Sequence, residues 1–386
     1  MNTAPQTKDR AALALVLICF AMLAAVTVRL FLPPYPLFDF SGYWSAGRLF
    51  LEGQDPYSSA SLLSLEHELG WQHRGPLVML CPPWSLPFLA PPAMFSYAHA
   101  RVLWMAVTLS LDAFSAAGLW HFFGGSRRQA WIAGAVFLAF VPLGSAEGLG
   151  QITPLILAAL TAFLLLTQAK RWFLAGLTLI GFGIKPQLLW LVAAAVLLWA
   201  LQERRFRLIA GGAVSLAAFW GGAFAWNRSI ASYPGSAYSA AIETNCGIGG
   251  LLRQLVPGTH PWLQYIPCVF GAAWFVWYWL RHRRGWDWRQ HLPLLLLVSL
   301  ASAPYCWFHD FTLALPAFVQ LAVERAQRSP LVIGSWFLLQ VVILTPDNKP
   351  LASTLSALWI VFWLFARSEA RHAALSPARS AQPAAE

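Results

Sequence analysis

The chain has 386 residues, of which 58% are hydrophobic and 11% charged. Soluble domains sit nearer half apolar and about a quarter charged, so this composition, with a mean hydropathy of +0.56, excludes a soluble globular fold and predicts a multi-span membrane protein. The net charge of +10 does not imply nucleic acid, because in a membrane protein an excess of Lys and Arg reports cytoplasmic loops.

The first apolar run is Ala11 to Val28, closed by Arg29 and by Pro33, Pro34 and Pro36. At about 18 residues it is long enough to span, longer than a signal-peptide core, and lacks a small-residue cleavage site after it; it reads as a retained first helix. Directly after it come Asp39-Phe40-Ser41-Gly42-Tyr43-Trp44 and Gly53-Gln54-Asp55-Pro56-Tyr57. In so weakly charged a chain, acidic groups at a membrane face point to a substrate site or a proton path. Asp39, ringed by Phe38, Phe40, Tyr43 and Trp44, reads either as a general base with a pKa tuned upward or as the N-cap of a helix through Tyr43 and Leu49. Asp55 before Pro56 reads first as a turn former and second as a ligand for substrate. The apolar stretch from Pro76 to Tyr97 holds six prolines, which break a regular helix, so a re-entrant or interfacial element buried against protein is expected there.

Clusters at Lys8/Arg10, Arg127/Arg128, Lys170/Arg171, Arg204/Arg205/Arg207, Arg281 to Arg289, Arg325/Arg328 and Arg367/Arg371 punctuate the later apolar runs. If all of them are cytoplasmic, twelve spans fit: 11–32, 101–123, 130–144, 150–168, 172–184, 186–202, 207–226, 262–280, 291–305, 308–323, 331–345 and 350–366. The expected fold class is an all-α integral membrane protein, with a transmembrane domain over 1–367, external loops at 33–100 and 227–261, cytoplasmic termini, and a disordered cytoplasmic tail over 368–386. The expected location is a bacterial inner membrane. Cys19, Cys81, Cys246, Cys268 and Cys306 show neither a CxxC pair nor zinc spacing, and no metal-ligand cluster is visible.

This topology brings Asp39, Asp55, Glu147, Gln151, Lys185, His309 and Asp310 to one outer face, as a polar cavity walled by apolar helices. Gln151 offers a donor and an acceptor to a sugar hydroxyl or a phosphate, or simply bonds backbone at a helix start. Lys185, at the break before Pro186, is expensive unless paired, and an anionic phosphate suits it; the alternative is snorkelling to the headgroups. His309 can donate to a leaving phosphate with Asp310 orienting its ring, although neighbours on an α-helix do not face each other; the alternative is an interfacial Trp/His belt. Tyr43 and Trp44 can stack on a sugar ring. Asp112 is expected far from this face, as a helix–helix contact.

The order of these elements resembles glycosyltransferase family 87. The resembling pieces are Asp39 to Gly47, Leu51 to Tyr57, Cys81-Pro82-Pro83, Gly150-Gln151-Ile152-Thr153-Pro154, Lys185-Pro186-Gln187, and Ala303-Pro304 followed by Trp307-Phe308-His309-Asp310. The family's usual Ser-Pro is Ala303-Pro304 here. The resemblance implies a glycosyltransferase C type bundle with its active site on the first external loop and Asp39 as catalytic base. It also implies a polyprenyl-phosphate-mannose donor, inversion at the anomeric carbon, and a lipid or glycan acceptor. Lys185 and His309, joined by Arg74 or Arg253, would then steady the departing phosphate. No cofactor is implied, and a divalent cation between Asp39 and phosphate stays open. Two other readings remain: a transporter or lipid flippase, which also uses broken helices and membrane-depth charges, and a non-catalytic assembly subunit.

Overall fold

Apolar runs interrupted by proline, glycine and arginine give a chain of helices with irregular breaks, and every regular element among the described residues is helical. The structure is a computed structural model that describes residues 38–233, 247–256, 258, 260–324, 334, 336, 337, 340 and 357–367. The expected span 11–32, most of 331–345, the start of 350–366 and the tail from 368 lie outside the described residues.

The segment after the expected first span folds as two helices, α1 (Phe38–Leu51) and α2 (Ser59–Glu68), followed by a short α3 (Leu86–Ala93). Pro91 and Pro92 lie inside α3. Its eight residues rise only ~12 Å, far short of a ~30 Å hydrocarbon core, so it does not cross by itself. It is instead packed against protein, with Phe88 on Phe219 at 4.7 Å and, from the 3-10 turn Pro83–Ser85 just before it, Trp84 on Trp220 at 5.5 Å between ring centroids. Trp84 Nε1 also donates to the Gly183 carbonyl at 2.9 Å.

Next come α4 (Tyr97–Phe122), α5 (Trp131–Leu138), α6 (Val141–Leu149), α7 (Thr153–Gln168), α8 (Trp172–Leu177), α9 (Leu179–Phe182), α10 (Trp190–Gln202) and α11 (Phe206–Trp226). The later helices are α12 (Ile248–Leu255), α13 (Ile266–His282), α14 (Trp288–Ala301) and α15 (Leu315–Val323), the last preceded by a 3-10 turn over Phe308–Ala314. α8 and α11 meet backbone to backbone: a Cβ on Gly211 would lie 2.2 Å from the Phe173 carbonyl oxygen, and one on Gly176 2.1 Å from that of Leu208. Contact through small residues is how helices associate in lipid, where burying apolar surface brings no gain. The outward sides of α4, α11 and α13 carry exposed Val102, Leu103, Val107, Phe114, Val214, Leu216, Phe224, Val269, Phe270 and Val276, an apolar surface that needs a bilayer and not water around it.

The count of spans differs from the expectation. Among the described residues, α4 and α11 alone are long and apolar enough to cross, with a third span if Arg127–Leu138 and Val141–Leu149 count as one bent unit. The expected span 130–144 is in fact this pair, bent by 64° at Ala139-Phe140. Expected spans at 172–184 and 186–202 are shorter, at Trp172–Phe182 and Trp190–Gln202. The hydropathy run continues through each break, but Lys185-Pro186 and Gly150-Gln151 end the helices inside it.

α2 carries one buried acid. Glu66 Oε2 accepts the Leu77 N–H at 2.9 Å, while Oε1 has no partner among the described residues. Burial pushes this carboxyl up to about 7, against the opposing pull of the Leu77 hydrogen bond and His67. A carboxyl raised on folding favours the folded state while protonated. Its contribution is whole below the ordinary value of 4.5 and is lost as pH rises through about 7. Glu66→Gln is therefore expected to melt closer to the wild type at pH 5 and relatively higher at pH 8, read from thermal unfolding at the two pH values.

Candidate active site

Four chain breaks bring one polar cluster together. Asp39 is in the first turn of α1, and Tyr43 lies one turn further on the same helix face. Gln151 follows Gly150, which closes α6 in the left-handed conformation (φ 70°). A side chain there would be strained. The reversal is held by Gln151 N–H on the Ala146 carbonyl at 2.7 Å. Lys185 lies between α9 and α10, and His309 and Asp310 open the 3-10 turn before α15.

The hydrogen bonds run through Gln151. Its Nε2 donates to Asp39 Oδ2 at 2.5 Å, while its Oε1 accepts from Tyr43 Oη at 3.0 Å and from Lys185 Nζ at 2.9 Å. Lys185 Nζ also donates to Asp310 Oδ1 at 2.7 Å, forming an ion pair whose side chains are 8% and 0% exposed. Asp310 is fixed further by Trp307 N–H on Oδ2 at 3.0 Å and by Thr153 Oγ1 on Oδ1 at 3.3 Å. His309 Nε2 lies 3.7 Å from Asp310 Oδ1. At that distance the two side chains do not hydrogen-bond: successive residues of a 3-10 turn point about 120° apart, and Asp310 is committed to Lys185, Trp307 and Thr153. The His309 ring lies nearly parallel to Trp307, at 11° and 6.2 Å, and neither ring nitrogen has a hydrogen-bond partner among the described residues.

These contacts determine what the cluster can still do. An ammonium has three donors; two of those on Lys185 are taken by Gln151 and Asp310, which leaves one for a ligand. Both His309 nitrogens are buried and unused, a costly state unless something polar binds there. Burial pushes the Asp39 carboxyl above the ordinary carboxylate value, and the charge of Asp310 adds to this; the hydrogen bond from Gln151 and the charge of Lys185 pull the other way without cancelling it. Such a carboxyl is poised as a proton acceptor closer to neutral pH. Its side chain is turned to Gln151, not committed to capping α1.

Other expected site residues stand elsewhere. Asp55 Oδ1 accepts from Tyr57 N–H and Ser232 Oγ, each at 2.9 Å, so its carboxylate serves the turn and a loop contact. Trp44 Nε1 donates to the Phe95 carbonyl at 3.2 Å and its ring meets Tyr97 edge-on. Arg253 turns to Gln264 at 3.5 Å, and Arg74 is exposed. Glu147 does not join Asp39 and Lys185; it is buried with Asp112 and Thr108. Asp112 does make a helix–helix contact, but with a residue of the segment that leads into Gln151, not remote from it. Cys81 and Cys268 are free thiols. Thr153 was missed, although it stands two residues after Gln151 in the Gln-Ile-Thr-Pro run. A hydroxyl at a helix start next to a polar neighbour was the available signal.

Among the described residues, every regular element is helical, apolar helix sides face outward, and a buried acid–amide–ammonium–imidazole cluster sits at the helix breaks, as in a membrane protein. The chain belongs to glycosyltransferase family 87, whose family model matches residues 80–316, and so it is a glycosyltransferase acting with a sugar donor and an acceptor. The matched stretch contains Gln151, Lys185, His309 and Asp310, while Asp39 and Tyr43 precede it and reach it through Gln151. No curated protein and no solved structure matches the chain.

Proposed function

We propose that the protein transfers a hexose, mannose by the family resemblance, from a polyprenyl monophosphate to an acceptor hydroxyl, with inversion, at the extracytoplasmic face of a bacterial inner membrane. In this reading the shorter apolar helices and the residues outside the described set complete a multi-span bundle with cytoplasmic termini. The observation that carries the proposal is the Asp39–Gln151–Lys185–Asp310 chain, with the unpartnered His309 beside it. It supplies a proton acceptor and, separated from it by one amide, a cation with a spare donor.

The acceptor hydroxyl oxygen attacks the anomeric carbon, the bond from that carbon to the phosphate oxygen breaks, and the bonding pair leaves with the lipid phosphate. Asp39 takes the hydroxyl proton. The third Nζ donor of Lys185 and one His309 N–H steady the departing phosphate, and Tyr43 and Gln151 hold Asp39 and Lys185 in register. The amide sets the working pH as well. Because its hydrogen bond to Asp39 favours the charged form, Gln151→Leu raises the Asp39 pKa further. Activity is lost as pH falls and the base is protonated, so the acidic limb of kcat/KM is expected at higher pH in Gln151→Leu than in the wild type, in a pH–rate profile on one donor.

The test is incubation of purified protein with a panel of labelled polyprenyl-phosphate sugars and a membrane lipid extract. Label moving from one donor into an extractable product supports the reading. Movement of the intact donor across reconstituted vesicles without any covalent product replaces it with lipid transport.

A further inference from the structure

Behind the site lies a pair of acids that the reaction above does not use. Asp112 of α4 and Glu147 of α6 are 6% and 2% exposed, and their carboxyls face each other at hydrogen-bonding distance. Thr108 Oγ1 donates to Glu147 Oε2 at 2.7 Å. Among the described residues, Glu147 Oε1 and both Asp112 oxygens have no donor, and no ionisable group other than its partner acts on either carboxyl. Two facing carboxylates with no cation between them are heavily penalised in an apolar interior. A proton on one of the two acids supplies the missing donor.

The pair also has a position. Trp104, Thr108 and Asp112 follow one another at four-residue steps on α4, hence along one face. Trp104 Nε1 donates to the Gly150 carbonyl at 3.0 Å; Thr108 and Asp112 hold Glu147. All three grip the last turn of α6 and the left-handed residue just before Gln151. The geometry points to a proton-bridged latch: Asp112 and Glu147 share one proton, and through it they act as positioning residues that set Gln151 against Asp39 and Lys185. This rests on the transferase reading of the site, so the test needs a readout that does not.

That readout is the infrared carbonyl stretch of a protonated carboxylic acid, recorded on the purified protein at neutral pH. An amide brings its own N–H, so Asp112→Asn and Glu147→Gln each replace the shared proton. Both are expected to lose a protonated-acid band that the wild type shows; persistence of the full band in both variants overturns the shared proton whatever the enzyme does. Transfer is then measured with the donor that labels product. Asp112→Asn is expected to stay within about threefold of wild type and to keep its activity at alkaline pH, where the wild type loses the bridging proton and declines. Glu147→Ala, checked for a wild-type melting temperature, is expected to lose about 10²-fold in kcat with little change in KM, the size of effect that a misplaced catalytic group produces. Asp112→Asn as inactive as Glu147→Ala, or an alkaline decline identical in Asp112→Asn and wild type, overturns the latch.

Discussion

Asp39→Asn is expected to lower kcat by about 10²–10⁴, the usual contribution of a positioned general base, while leaving the fold intact. Asparagine keeps an acceptor for Gln151 Nε2, so the contact at the head of α1 persists. What disappears is the ability to take a proton. The loss is expected in kcat and kcat/KM together, because the interaction is made only as the hydroxyl attacks. Asp39→Glu keeps the chemistry but moves the carboxyl out along the Gln151 direction, and intermediate activity is expected. A steady-state series on wild type, Asp39→Asn and Asp39→Glu, with thermal melts alongside, reads all three.

The second large effect separates stability from catalysis at Lys185 and Asp310. Removing one member of a buried ion pair leaves an uncompensated charge and costs about 3–5 kcal/mol. Asp310→Leu is therefore expected to destabilise strongly, because Lys185 then has only Gln151 as an acceptor. Lys185→Met is milder in this respect, since Asp310 keeps Trp307 N–H and Thr153. The double variant Lys185→Met/Asp310→Leu is expected to recover most of the lost stability, as replacing the whole of a buried pair with apolar residues often does. It is not expected to recover activity. Loss of a donor aimed at developing charge costs about 10²–10³, and the double variant has lost Lys185. Melting temperatures and kcat for the three variants test this; a stable double variant with wild-type turnover would remove Lys185 from the reaction.

How much of this was legible in the sequence follows from the kind of information each feature needs. Lys185 stood out because a lysine at a helix break in an apolar run demands a partner, and Asp310 is that partner. The prolines of residues 76–97 were enough to rule out a regular span there, and the short α3 agrees. Gln151 was visible as a polar residue at a helix start, but not as the hub of the cluster: its bond to Asp39 joins positions 112 apart, and no local pattern encodes such a contact. His309 and Asp310 approach to 3.7 Å without a hydrogen bond, in keeping with the weak pairing expected of adjacent residues in a helical turn. Asp55 was read correctly as a turn former, whereas its second reading as a substrate ligand has no support in its contacts. The count of twelve spans rests on apolar runs punctuated by basic clusters that are all placed on one side, a pattern blind to where a glycine or a lysine–proline step ends a helix.

The most direct test is an experimental structure of the protein with a non-transferable polyprenyl-phosphate hexose analogue bound. The phosphate is expected within hydrogen-bonding reach of Lys185 Nζ and a His309 ring nitrogen, with the Asp39 carboxyl on the opposite side of the anomeric carbon. A phosphate seated away from Lys185, or an Asp39 walled off from the sugar, would contradict the account.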